Sequence, residues 1–267
     1  MIIGNKKFDE NKTHIMGILN VTPDSFSDGG RFNSVDRALK HTEDMIREGA
    51  GIIDIGGEST RPGYTMIPDD EEISRVVPVI RAVKRNFDVP VSIDTYKSAV
   101  AYAALDAGAD LLNDIWGFKY DAKCAKYAKQ FDVPVCLMHN RTDTDYSDFL
   151  NDVLSDLRES IAIAKDAGIA DEKIILDPGI GFAKTLEQNL RLTNHLELLG
   201  TLGYPFLLGA SRKSMIGLSL DLPREERVEG TIATSVMACM KGAMFVRVHD
   251  VKENYRAVKI TEAIINS

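Results

Sequence analysis

A chain of 267 residues is long enough for two small domains or for one large α/β barrel, which typically needs about 250 residues. Its content of 44% hydrophobic and 27% charged residues is that of an ordinary globular protein and excludes wholesale disorder. A net charge of −8 sets aside a nucleic-acid partner, which needs a basic surface. Cys124, Cys136 and Cys239 lie far apart without a CxxC pair, which excludes a disulfide framework and a cysteine zinc site and reads as small buried hydrophobes.

The polar opening, residues 1–13, reads as a short ribbon or flap ahead of the first strand. No stretch reaches the roughly eighteen apolar residues of a membrane span, and a cytoplasmic location without a membrane partner is expected. Residues 14–20 form the first of eight short apolar runs; the others are 52–57, 89–95, 111–115, 133–139, 173–179, 205–211 and 244–249. Segments of helical period lie between them. Ala38, Leu39, Thr42, Met45 and Ile46 repeat this way after Ser34, the expected N-cap. Ile73, Val76, Val77, Ile80 and Val83 do so more clearly, with Pro78 predicting a kink or a late start. Eight alternations with strands apolar on both faces predict a parallel sheet covered by helices and closed into a barrel. An open doubly wound sheet lacks its glycine fingerprint here, since Gly17 stands alone in a strand and "GIGFAK" misses the last glycine. No composition shift marks a linker, so residues 1–267 are expected to form one (β/α)8 barrel domain with a short N-terminal ribbon.

The first run passes directly into "NVTPDSFSDGG", residues 20–30, which is too polar to pack and too long for a tight turn. Loops of this kind are often functional lids. The other runs end in polar residues too: Glu58, Ser59, Thr60 and Arg61; Asp94; Asn113 and Asp114; His139; Asp177; Ser211, Arg212 and Lys213; Arg247 and His249. In a barrel all these ends share the face that carries active sites. Taken singly, Asp94-Thr95 and Ser59-Thr60 read as helix caps and Asp177-Pro178-Gly179 as a turn. Turn chemistry does not, however, call for Asp, Asn and Asp at three strand ends with Lys and Arg at two more. Two carboxylates and an amide suit a flat heterocycle with an amidine-like N–H edge, a pterin or a purine. Arg247 can stack on such a ring. Arg61, Lys213, Arg247 and His249 can serve a phosphate or carboxylate, and "GASRKSMIG" places Ser211 where a strand enters a helix, an anion site.

"MGILNVTPDSFSDGG", "DIGGESTRPG", "SIDTYKS", "LLNDI", "LMHN", "DPGIGFAKT", "LLGASRKS" and "VRVHDV" resemble, in order and across nearly the whole chain, the strand-end motifs of the dihydropteroate synthase family of folate biosynthesis. The resemblance implies a transferase that joins 6-hydroxymethyl-7,8-dihydropterin pyrophosphate to p-aminobenzoate in an SN1-like reaction, releasing pyrophosphate and 7,8-dihydropteroate. It also implies the roles. Asp94, Asp177, Lys213 and Arg247 would be catalytic. The pterin would meet Asp94, Asn113 and Asp177, with Ile115, Met138, Phe182 and Gly209 around it, Lys213 at its carbonyl side and Arg247 on its face. Asn20 would hold Mg²⁺ with the pyrophosphate, gripped further by Arg61, Arg247 and His249. Phe26, Thr60, Pro62, Phe182, Ser211 and Lys213 would form the aminobenzoate pocket, with the 20–30 loop as a lid that brings Pro23 and Phe26 to it. A homodimer is implied as well. Trp116 and Met215 depart from the family pattern and bear on pocket shape and loop packing. A pterin-binding methyltransferase barrel has no use for "NVTPDSFSDGG" and "STRPG", and a silent pterin-binding paralogue would not need the intact set; a generic phosphate-binding isomerase or aldolase barrel leaves the Asp-Asn-Asp set unexplained.

Overall fold

A computed structural model describes residues 1–22, 30–58 and 65–267, with side chains from residue 35 onward in the first helix. The polar opening folds as a hairpin in which β1 (Ile2–Ile3) pairs antiparallel with β2 (Lys6–Lys7) across Gly4, whose φ of +59° suits a residue without a Cβ. It is a plug more than a flap, for Ile3 and Phe8 are buried against Met16, Ile52, Cys136 and Phe245 in a cluster of their own.

Each of the eight apolar runs contains a strand: β3 (His14–Asn20), β4 (Ala50–Gly56), β5 (Val91–Asp94), β6 (Leu111–Asp114), β7 (Val135–Met138), β8 (Ile174–Asp177), β9 (Leu207–Leu208) and β10 (Phe245–Val248). All neighbours pair parallel in the order β8-β7-β6-β5-β4-β3-β10-β9. The ring closes where Leu176 of β8 bridges Phe206, the residue before β9, with the Leu176 N–H donating to Pro205 O at 3.0 Å. Strands buried on both faces need Ile, Val and Leu throughout, which is why the runs show little alternation.

The helices are α1 (Gly30–Glu48), α2 (Asp69–Asn86), α3 (Ser98–Asp106), α4 (Lys123–Gln130), α5 (Phe149–Asp166), α6 (Leu186–Asn194), α7 (Glu197–Gly200), α8 (Ser214–Leu220), α9 (Val228–Met240) and α10 (Val251–Ile265). They cover the barrel, and a large cluster that includes Ile53, Val79, Val91, Leu157 and Val246 fills the space between the two layers. Two expectations are corrected. Helix α1 begins at Gly30, so Ser34 lies inside it and is not its N-cap. Helix α2 starts well before Pro78 and runs through it; the proline is exposed, and four acidic residues, Asp69 to Glu72, favour the helix N-terminus through the macrodipole. Cys124, Cys136 and Cys239 are free and buried, and burial raises each thiol above its ordinary pKa.

Candidate active site

Strand register sets the frame of the site. Asn20 pairs with Gly56, Gly56 with Asp94 and Asp94 with Asn113, so the last residues of β3, β4 and β5 and the last but one of β6 form one row, and Met138 of β7 sits beside Asp177 of β8. The strand period of two then decides which polar residues face in. Asn113 lines the cavity. Its neighbour Asp114 turns the other way and accepts the backbone N–H groups of Trp116 at 2.7 Å and Phe118 at 3.3 Å.

The cavity at these strand ends measures about 530 Å³. Asn20, Asp94, Asn113, Ile115, Met138, Asp177, Phe182, Gly209, Ser211, Lys213, Arg247 and His249 all line it, which is every described residue to which the resemblance assigns a role; of the other polar strand ends, Asp114 and His139 do not. Phe26, Thr60, Arg61 and Pro62, together with Pro23 and the suggested lid, lie outside the described residues.

Arg247 is held from two sides, its Nε donating to Asp54 Oδ2 and its Nη2 to Asp94 Oδ2, each at 2.6 Å. Burial works against the guanidinium charge, but the two carboxylates outweigh it and raise the pKa. Burial also pushes the Asp94 carboxyl up to about 7, against the pull of Arg247. Asp94 Oδ1 is buried and has no hydrogen-bond partner among the described residues. Such a lone acceptor is costly unless a ligand satisfies it.

Asp177 serves its turn and the cavity together. Its Oδ1 accepts the Gly179 N–H at 2.7 Å, and a Cβ at Gly179, where φ is +69°, would fall 2.0 Å from His139 O. Burial raises the Asp177 pKa, opposed by Lys213. Lys213 donates to Ile180 O at 2.5 Å, lies 4.7 Å from the centre of the Phe182 ring, and is lowered by burial to about 8.

On the other side His249 Nδ1 is 3.0 Å from Ser211 Oγ, which also accepts the His249 backbone N–H at 3.2 Å, and Arg224 Nη2 approaches His249 Nε2 at 3.4 Å. Helix α8 starts at Ser214, so Ser211 stands on the preceding loop and not at the helix N-terminus. Asn20 offers a hard amide oxygen, which suits a Mg²⁺ ion that takes its remaining ligands from phosphate and water. Among the described residues no group of three or more His, Cys, Asp or Glu side chains could hold a metal without such help.

The cap reading of Asp94-Thr95 fails, because the residue before α3 is Lys97, whose side chain makes no cap bond, and the N–H of the first helical residue, Ser98, goes to Asp121 Oδ2 at 3.3 Å. Glu58 goes the opposite way. It lines the cavity but spends its oxygens on Tyr96 Oη at 2.7 Å, Lys97 Nζ at 2.6 Å and the Ile67 N–H at 2.9 Å. Sequence reasoning missed Asp54, whose signal was a lone carboxylate in an apolar run, and the arginines Arg224 and Arg227, which also line the cavity. Neither Trp116 nor Met215 is among the lining residues; Trp116 packs against Ile115 and Met138, which are, and Met215 is buried against Thr193.

A parallel barrel with two carboxylates, an amide, a lysine and a clamped arginine at its strand ends is the frame of a pterin-binding enzyme, and the sequence profile of that family matches residues 16–249. A dihydropteroate synthase of Clostridium beijerinckii is 63% identical, covering 99% of this chain and 99% of its own. The solved dihydropteroate synthase of Clostridium difficile, in the presence of pteroic acid, superposes with a TM-score of 0.94 at 48% identity over 100% of both chains. That of Yersinia pestis, in a sulfonamide drug complex, gives 0.94 at 43% identity over 100% of this chain and 99% of the other. The chain therefore belongs to the dihydropteroate synthases within the pterin-binding family.

Proposed function

We propose that residues 1–267 work as one barrel domain that joins 6-hydroxymethyl-7,8-dihydropterin pyrophosphate to p-aminobenzoate, giving 7,8-dihydropteroate and pyrophosphate. The observation that carries this reading is Asp94 Oδ1, buried in the row that also holds Asn113 and without a hydrogen-bond partner among the described residues. Asp94 and Asp177 accept N–H groups of the pterin, Asn113 supplies both a donor and an acceptor, and Lys213 donates at the carbonyl side. Ile115, Met138, Phe182 and Gly209 shape the apolar walls. The Asp54–Asp94 clamp fixes the plane of Arg247 for stacking on the ring.

Breaking the bond between methylene and pyrophosphate leaves a cation conjugated with the pterin ring, and the carboxylates of Asp94 and Asp177 stabilise that charge. His249 and Arg247 grip the departing pyrophosphate with Arg61. Asn20 holds Mg²⁺ there through its amide oxygen, and the ion when bound supplies charge neutralisation of the leaving group. The aryl amine is neutral at pH 7 and attacks without a general base. Phe26, Thr60, Pro62, Phe182, Ser211 and Lys213 receive p-aminobenzoate.

We place the enzyme in the cytoplasm on its three free, buried cysteines; among the described residues no helix is long and apolar enough to cross a membrane. A homodimer is supported by apolar side chains left exposed on α8, α9 and α10, namely Leu218, Leu220, Met240, Ile260 and Ile264. The reaction is tested by supplying both substrates and Mg²⁺ and following pyrophosphate and dihydropteroate together. Equal amounts are expected, and pyrophosphate without dihydropteroate refutes the reading. Light scattering of the wild type and of Ile264→Glu tests the dimer.

A further inference from the structure

His139 follows β7 in "LMHN" and has no role in the reaction as derived. Its ring is fully buried and outside the cavity lining. The two ring nitrogens face different elements: Nε2 lies 2.9 Å from Asp156 Oδ2 on α5, and Nδ1 lies 2.8 Å from Lys184 Nζ. An ammonium only donates. Nδ1 therefore accepts, Nε2 carries the proton and donates it to Asp156, and the ring is neutral, in keeping with a pKa that burial lowers to about 4. Arg141 grips the same Asp156 from the far side, with Nε at 2.5 Å and Nη2 at 3.1 Å.

Lys184 also donates to Gly179 O at 2.9 Å and to Phe182 O at 3.0 Å, so its three N–H groups meet three acceptors. Burial draws its pKa down to about 7, against Asp177, and three acceptors without a donor among them favour the charged form in return. Tyr146, which lies under the Arg141 guanidinium, donates its hydroxyl to Ala183 O at 2.8 Å. Residues 179–184 are thus fastened from behind by three carbonyls. Their front faces the site: the Gly179 N–H orients Asp177, Ile180 O holds Lys213, and the Phe182 ring lines the cavity. The segment belongs to no helix or strand, and Gly179, Gly181 and Ala183 all have positive φ. The Phe182 N–H donates back to Gly179 O at 3.1 Å, and Asn189 of α6 ties the other edge, accepting the Gly181 N–H at 2.7 Å and donating to Lys184 O at 3.2 Å, so side chains supply most of what shapes this turn.

We propose that Lys184 and His139 are positioning residues: the buried chain Asp156–His139–Lys184 holds the 179–184 turn in the shape that points Asp177, Lys213 and Phe182 at a bound pterin. The proposal rests on the pterin reading of the cavity. It is tested on the full chain by calorimetry with two probes, 6-hydroxymethyl-7,8-dihydropterin and pyrophosphate with Mg²⁺. In Lys184→Met and His139→Phe the pterin Kd is expected to rise at least tenfold, while pyrophosphate affinity stays within twofold of the wild type. His139→Asn keeps an acceptor near the Nδ1 position and is expected to stay within threefold for both probes. A general loss of structure would weaken both probes and would not be relieved by Asn. Should the first two variants fail to fold, Tyr146→Phe removes a single hydroxyl on a half-buried side chain and is expected to weaken the pterin about threefold. Unchanged pterin affinity in folded Lys184→Met, or in Tyr146→Phe where Lys184→Met does not fold, overturns the proposal. If the wild type itself binds no pterin, the reading of the cavity falls first and this proposal with it.

Discussion

The two walls of the cavity are built differently. On the wall that includes Asp94, Asp177, Lys213 and Arg247, charged groups meet at 2.6 Å or are tied to backbone at 2.5 to 2.7 Å, with Asp54 fully buried behind them. On the wall of Ser211, His249 and Arg224 the contacts among the described residues are 3.0 to 3.4 Å long. The first wall is fixed before any ligand arrives; among the described residues the second is held by longer bonds. Preformed donors and acceptors cost nothing to reorganise when charge develops on a ligand, so the pterin and the cation that develops on it should depend on the first wall, and the affinity for p-aminobenzoate and pyrophosphate on the second.

Arg247→Ala tests this most severely. It leaves Asp54 and Asp94 buried beside each other without a cation, and breaking a buried pair costs about 3–5 kcal/mol. A large drop in melting temperature and loss of pterin binding are expected; a near-normal melting temperature would mean that the clamp is not part of the folded frame. Asp177→Asn is milder, since an amide oxygen can still accept the Gly179 N–H. Pterin affinity should fall by about 1.5–3 kcal/mol, the worth of a charged hydrogen bond, with the fold kept, as calorimetry and circular dichroism would show.

Asp94 sharpens the comparison through pH. Its carboxyl, raised to about 7 by burial from an ordinary 3.8, binds a proton in the folded chain that the unfolded chain has already released. Its contribution to stability therefore declines as pH rises from about 4 to 7. The melting temperature of Asp94→Asn relative to the wild type should climb by a few degrees over that window. A flat difference would show that Arg247 keeps Asp94 ionised throughout. Ser211→Ala is expected to do least: loss of a neutral hydrogen bond to His249, worth about 0.5–1.5 kcal/mol, should raise the KM for p-aminobenzoate a few-fold and leave the melting temperature nearly unchanged.

These contrasts also explain what could be read from the chain alone. Asp94, Asn113 and Asp177 were legible because a strand that ends on a polar residue announces its position on the barrel rim, and the register places them as expected. Asp54 was not, because its meaning depends on Arg247, 193 residues away. Glu58 looked like a rim carboxylate of the same kind, yet a lysine three residues beyond the end of β5 consumes it. His139 and Lys184 were visible as motif letters only; nothing in their spacing says that an ammonium donates to an imidazole nitrogen 45 residues away. Helix α1 was placed too late because Ser34 is a good cap in isolation, and cap preference is overridden by what precedes it.

The three cysteines turn the fold into its own stopwatch. A thiol reacts as the thiolate, and burial holds that form back at all three positions. Cys136 sits inside the barrel beside Ile3 and Met16, Cys124 on the buried face of the first turn of α4 and Cys239 near the end of α9. Alkylation of the native enzyme should therefore proceed in sequence, with Cys239 first, through fraying of a helix end, and Cys136 last, only when the ring of strands parts. The gap between those rates separates local opening from global unfolding in a single mass-spectrometric time course, with no probe added to the chain.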